Sequence, residues 1–264
     1  MPWGDYVEDT FAHEGEAKAV YRRGSGPAVI VVAEIPGITP EVVAFADRVA
    51  AIGCTAVLPH LFGEPGRKES AGLALRTIVG CCVSREFTTW ATGRTSPVAT
   101  WLRALARHEH EACGGPGVGA VGMCLTGGFA LAMMAEESVV APVLSQPSLP
   151  FGFTKRQRRD VGLSPEDLAC AKERAAAGTT VLGLRFTGDR AAPPDRFARL
   201  REELGDDFVG VEIDSSKGNR HGIRRGAHSV LTRDLVDEPG HPTRDALDQV
   251  LDLFRARLLG GASG

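Results

Sequence analysis

Residues 122–128 read Gly122-Met123-Cys124-Leu125-Thr126-Gly127-Gly128. An apolar run, 118–121, leads in, and an apolar, alanine-rich run, 129–135, leads out. The order predicts a strand, a sharp turn and a helix, with a thiol at the apex. A strained turn of that kind lifts a Ser or Cys above the end of a strand and points a helix N-terminus at it. Glycines on either side let strand and helix approach closely. Thiolate is the nucleophilic form of cysteine, and a helix start lowers a thiol's pKa. The spacing therefore predicts that Cys124 is a nucleophile. Cys54, Cys113 and Cys170 lack such a setting and read as buried structural residues.

A nucleophile needs a base, and the base needs an orienting acid. Where the nucleophile sits at such an elbow, the chain order is nucleophile, acid, base, each after a later strand. The apolar run 181–186 is followed by Thr187-Gly188-Asp189. The run 209–213 is followed, after a loop, by Gly226-Ala227-His228-Ser229. Asp189 and His228 stand where the acid and the base should. His221, on the same loop, is a rival base. Asp195 is a weaker rival acid, because Pro193-Pro194 puts it at the start of a helix. Glu34 directly follows the apolar run 28–33, at the strand end where open α/β sheets carry ligand sites. The Pro36-Gly37 turn after it would fix the backbone, so that the Ile35 amide could join that of Leu125 in an oxyanion hole.

These residues need a scaffold of alternating elements. Strands are predicted over 28–33, 54–58, 118–123, 139–144, 180–186 and 208–213. Helices are predicted over 41–52, 96–111, 164–177, 194–203 and 243–258. Pro97 at a first helical turn and Ser164 before Pro165 are start signals. Continuous apolar strands alternating with helices indicate a mostly parallel sheet covered on both faces. The expected fold class is α/β, in a single domain over 1–264. Residues 15–258 form its ordered core and 259–264 a flexible tail. Residues 62–95 and 145–163 hold the candidate loops over the site. The basic cluster Lys155-Arg156-Gln157-Arg158-Arg159 reads as a solvated loop.

Composition narrows the function classes. The chain has 264 residues, 24% charged, with formal net charge −3. That balance gives no electrostatic case for nucleic acid or membrane surfaces. No apolar run approaches the ~20 residues needed to span a bilayer. Met1-Pro2-Trp3-Gly4-Asp5-Tyr6 lacks the basic segment and apolar core of a signal peptide. Adjacent Cys81-Cys82 suits neither a metal site nor an ordinary disulfide. The expectation is a cytoplasmic protein with reduced thiols, monomeric or a small homo-oligomer, with no metal or organic cofactor.

Together these motifs resemble the dienelactone hydrolase family, the α/β-hydrolases with a cysteine nucleophile. The resemblance spans roughly residues 15–258. It rests on Glu34-Ile35 after the early strand, on Gly122, Cys124 and Leu125 in a G-x-C-x-G-G elbow, on Gly188-Asp189, and on Ala227-His228-Ser229-Val230. It implies an α/β-hydrolase fold and hydrolysis of a small lactone or ester through a cysteine acyl-enzyme, with Cys124, His228 and Asp189 as triad. It also implies that Glu34 partners the resting thiol and takes its proton once substrate binds. Family arginines hold a substrate carboxylate; Arg85 and Arg233 are the candidates, Arg233 standing one residue further from the histidine than the family's arginine. Thr126 replaces the first glycine after Leu125, and its methyl group is expected to crowd the turn. The segment 145–178 is longer than the family's compact form and is expected to carry an extra loop and helix.

Three other readings meet the same residues. Gly117-Val118-Gly119-Ala120-Val121-Gly122 satisfies G-x-G-x-x-G, but its glycines lie before and within a strand, and dinucleotide binding needs them after one. A thiol redox protein would want a resolving cysteine, and none neighbours Cys124 in sequence. A non-catalytic protein of the same fold, binding a small carboxylated ligand, is the alternative to an enzyme.

Overall fold

The computed structural model describes residues 3–66, 95–149 and 154–260. Eight strands form one sheet in the order β1-β2-β4-β3-β5-β6-β7-β8. They are β1 (Val7–His13), β2 (Glu16–Gly24), β3 (Ala28–Val32), β4 (Thr55–Pro59), β5 (Val118–Met123), β6 (Val139–Ser145), β7 (Val181–Phe186) and β8 (Phe208–Ile213). The two pairings that involve β2 are antiparallel, and all others are parallel.

The parallel centre follows from composition. Every residue of β3, β4, β5 and β7 is buried. In β3, Val29 and Val31 face one core layer while Ala28, Ile30 and Val32 face another. The first layer is closed by α1 (Pro40–Ala51) and α7 (Pro242–Phe254), through Phe45, Val49, Leu247 and Phe254. The second is closed by α2 (Pro97–Cys113) and α3 (Gly127–Ala132), through Trp101, Leu105 and Phe129. Near β7 and β8, α5 (Pro165–Ala176) and α6 (Pro194–Leu204) extend that cover with Ala171, Phe197 and Leu200.

Two features depart from the sequence reading. The hairpin β1–β2 was not expected; it turns at Glu14 and Gly15, both at positive φ, as a two-residue hairpin loop requires. The basic cluster at 155–159 is a short helix, α4 (Lys155–Arg159), because Thr154 accepts the Gln157 amide while the Gln157 side chain accepts the Thr154 amide. The α5 helix lies in the segment expected to carry an extra helix.

Candidate active site

Cys124 has φ 57°, a left-handed conformation that costs a side-chain-bearing residue energy and so marks a site the surroundings enforce. It opens a short 3-10 turn, Cys124–Thr126, directly after β5 and before α3. A Cβ on Gly122 would stand 2.2 Å from the Thr126 carbonyl oxygen, and one on Gly127 would stand 2.7 Å from Cα of Pro147. Both positions exclude any larger residue. The same contact explains the G-x-G-x-x-G pattern: Gly122 serves the elbow, and Gly119 makes room for the Phe254 ring.

Thr126 corrects an expectation. Its side chain does not crowd the turn but fastens it. The buried hydroxyl accepts the Met123 amide at 2.8 Å, and its own hydrogen is shared between the Met123 and Val32 carbonyls at 2.8 and 2.9 Å. The elbow is thereby tied to the end of β3, where Glu34 and Ile35 begin.

Asp189 and His228, the candidate acid and base, come from two other strand ends. Asp189 follows β7; its Oδ1 accepts the Ala191 amide at 2.9 Å and its Oδ2 stands 2.7 Å from His228 Nδ1. Burial works against a charged His228, but its hydrogen bond to Asp189 and the neighbouring Cys124 push its pKa up to about 11. The loops that carry acid and base are in contact: a Cβ on Gly188 would lie 2.6 Å from the Arg225 carbonyl oxygen. The base loop is fixed by Asp234, which accepts the amides of His228 and Ser229 at 2.8 and 3.0 Å and pairs with Arg224. From the sheet side, Arg185 holds the acid loop by donating to the Ala192 and Thr187 carbonyls.

Neither rival takes part. His221 accepts from Arg220 Nε at 2.7 Å and packs edge-on against His241. Asp195 lies in the first turn of α6 and pairs with Arg158.

Glu34 is buried but placed differently from what the resemblance implied. Its Oε2 accepts from Ser229 Oγ at 2.8 Å and Gln146 Nε2 at 3.1 Å, and its Oε1 from the Thr232 hydroxyl. Among the described residues none of its hydrogen bonds runs to Cys124. Thr232 stands four residues after His228, where the family's arginine was expected, and donates to Glu34 instead. Gln146, buried and at φ 36°, completes this network by accepting from Ser145 Oγ and the Val230 amide. Arg233 is exposed and pairs with Asp234 at 3.5 Å. Arg85 and the Cys81-Cys82 pair lie outside the described residues.

The Ile35 amide lies in a turn closed by the Gly37 amide donating to the Glu34 carbonyl at 2.7 Å. Leu125 is in the first turn of its helix, where backbone amides have no partner within the helix. Beside the imidazole opens a depression of about 520 Å³, lined by Gly188, Asp189, Arg190, Ala191, Arg225, Gly226 and His228.

The model of the dienelactone hydrolase family matches residues 16–258. The chain belongs to that family. As a member of this hydrolase and esterase family, it shares its fold with solved structures of low identity. A Klebsiella pneumoniae protein assigned as a dienelactone hydrolase is 18% identical, with a TM-score of 0.64 over 94% of this chain and 97% of that one. Dienelactone hydrolase from Anabaena variabilis is 15% identical, with a TM-score of 0.61 over 96% and 98%. A dienelactone hydrolase-like promiscuous phosphotriesterase from metagenomic libraries is 16% identical, with a TM-score of 0.60 over 96% and 98%. No curated protein matches the chain. Among the described residues no group of His, Cys, Asp and Glu is arranged to hold a metal ion, and no helix is long and apolar enough to cross a membrane.

Proposed function

We propose that this chain hydrolyses a small carboxylic ester or lactone through a Cys124 acyl-enzyme. The observation that carries the reading is Cys124 at φ 57° on the turn after β5, beside the imidazole of His228, which Asp189 holds at 2.7 Å. In the reactive form His228 carries the proton and Cys124 is the thiolate. Attack by the thiolate forms a C–S bond and moves the carbonyl electron pair onto oxygen, where the amides of Ile35 and Leu125 would receive it. Collapse breaks the C–O bond, and the imidazolium gives its proton to the leaving alkoxide. The neutral imidazole then takes a proton from water as the water oxygen adds to the thioester. The C–S bond breaks, releasing the acid and restoring the thiolate beside His228, which keeps the proton it took from water. No step in this cycle needs a cofactor.

Glu34 enters as the residue that ties the base loop to the end of β3. His228, beside the thiol, is the group that takes and returns its proton.

A substrate carboxylate that reached from Cys124 into the depression beside His228 would meet Arg190 and Arg225, whose guanidinium groups offer it a forked donor. Hydrolysis of small lactones and aryl esters by wild type and Cys124→Ala tests the main reading. Matched acid and amide esters test the charge preference, with Arg190→Ala and Arg225→Ala expected to raise KM for the acid alone. Tight ligand binding without turnover would favour a non-catalytic binder.

A further inference from the structure

Arg196 has a side chain the mechanism above does not use. It lies on α6, and it is 2% exposed. Its hydrogen bonds run to backbone carbonyls rather than to a carboxylate. Nε donates to Asp160 at 2.6 Å, Nη2 to Gln157 at 3.4 Å, and Nη1 to both Pro147 at 2.8 Å and Ala191 at 3.1 Å.

The two carbonyls on Nη1 belong to the two halves of the site. Pro147 packs on Gly127, the first residue of the helix after the nucleophile, and the next amide, of Ser148, donates to the Cys124 carbonyl at 2.9 Å. Ala191 gives its own amide to Asp189. One nitrogen thus spans the backing of the nucleophile turn and the loop that aims the acid. The remaining two bonds hold the 157–160 segment against the same point. A buried cation bonded to neutral carbonyls leaves its charge unspent, and the Asp160 and Asp189 carboxylates are the negative groups that steady it. Burial pulls the guanidinium pKa down to about 10, which leaves it charged at neutral pH.

We infer that Arg196 is a positioning residue: it sets the spacing between the nucleophile turn and the acid loop. The inference rests on Cys124 being the nucleophile proposed above.

The test compares kcat and KM for an aryl ester in wild type, Arg196→Met and Arg196→Lys, each alone and carrying Asp189→Asn. Arg196→Met, which removes all four hydrogen bonds, should lower kcat by about ten- to a hundredfold while KM holds. Arg196→Lys should lower kcat less and also hold KM. Each loss should shrink to within about twofold in the Asp189→Asn background, where there is no acid left to aim. Wild-type kcat in folded Arg196→Met would overturn the inference, as would a loss in Arg196→Lys that is the same in both backgrounds. Should Arg196→Met fail to fold, the Arg196→Lys pair decides alone. Wild-type turnover in Cys124→Ala would instead overturn the nucleophile assignment, a result the Arg196 arms do not produce.

Discussion

The carboxylate of Asp234 accepts the backbone amide of His228 at 2.8 Å. The base is therefore held through its main chain by a residue six positions further on, while its ring is held by Asp189. Asp234 also takes the Ser229 amide and an ion pair from Arg224. Burial alone would raise the Asp234 pKa; the two amides and Arg224 outweigh it and lower it. Asp234→Ala should reduce kcat on the order of 10²-fold with little change in KM, since sub-ångström misplacement of a catalytic group can cost that much. Asp234→Asn keeps an acceptor and should lose less. Steady-state kinetics on an aryl ester check both.

Thr126 joins the nucleophile turn to β3 through one hydroxyl. Thr126→Val removes that hydroxyl and leaves the Met123 amide and Val32 carbonyl without it, at a cost of ~1–3 kcal/mol. Thr126→Ser should restore most of the stability and activity. Gly122→Ala should be more damaging than either, because its new Cβ meets a backbone oxygen that cannot move aside. Denaturant midpoints alongside kcat for the three variants separate these effects.

His228 makes stability depend on pH in a defined direction. An unperturbed histidine titrates near 6.5, and His228 is raised to about 11 in the fold. The folded chain therefore keeps a proton that the unfolded chain releases. This contribution is complete below about pH 6.5 and is lost as pH rises toward 11. Wild type should lose stability over that window more steeply than His228→Gln, and Asp189→Asn should lie between them. Parallel slopes in thermal melts across the window would contradict the raised pKa.

What the sequence made legible follows from where the physical signal is local. The apolar runs at β3, β4, β5 and β7 are buried on both faces, so each strand announces itself without its partners. Cys124, Asp189 and His228 could be named as candidates from order alone, since each follows its own strand. The β1–β2 hairpin was not: β1 is largely exposed and carries Glu8, Asp9 and His13, so neither periodicity nor hydrophobicity sets it apart. The capping pair Thr154 and Gln157 was a readable start signal for α4, masked by the surrounding charge. Glu34 could be found as a residue, but its partners could not. Gln146, Ser229 and Thr232 come together only when three strand ends converge. Arg196 resembles any helix-surface arginine in sequence, because donation to backbone carbonyls leaves no pattern of partner residues to read.

The covalent intermediate is the most direct test. Wild-type enzyme mixed with excess p-nitrophenyl acetate and quenched in acid should carry one acetyl group on the peptide that contains Cys124. The nitrophenolate burst should match the enzyme concentration. Cys124→Ala should show neither burst nor adduct, and the peptides containing Cys54, Cys113 and Cys170 should remain unmodified. Wild-type turnover in Cys124→Ala, or an acetyl group on another residue with Cys124 unmodified, would contradict the account.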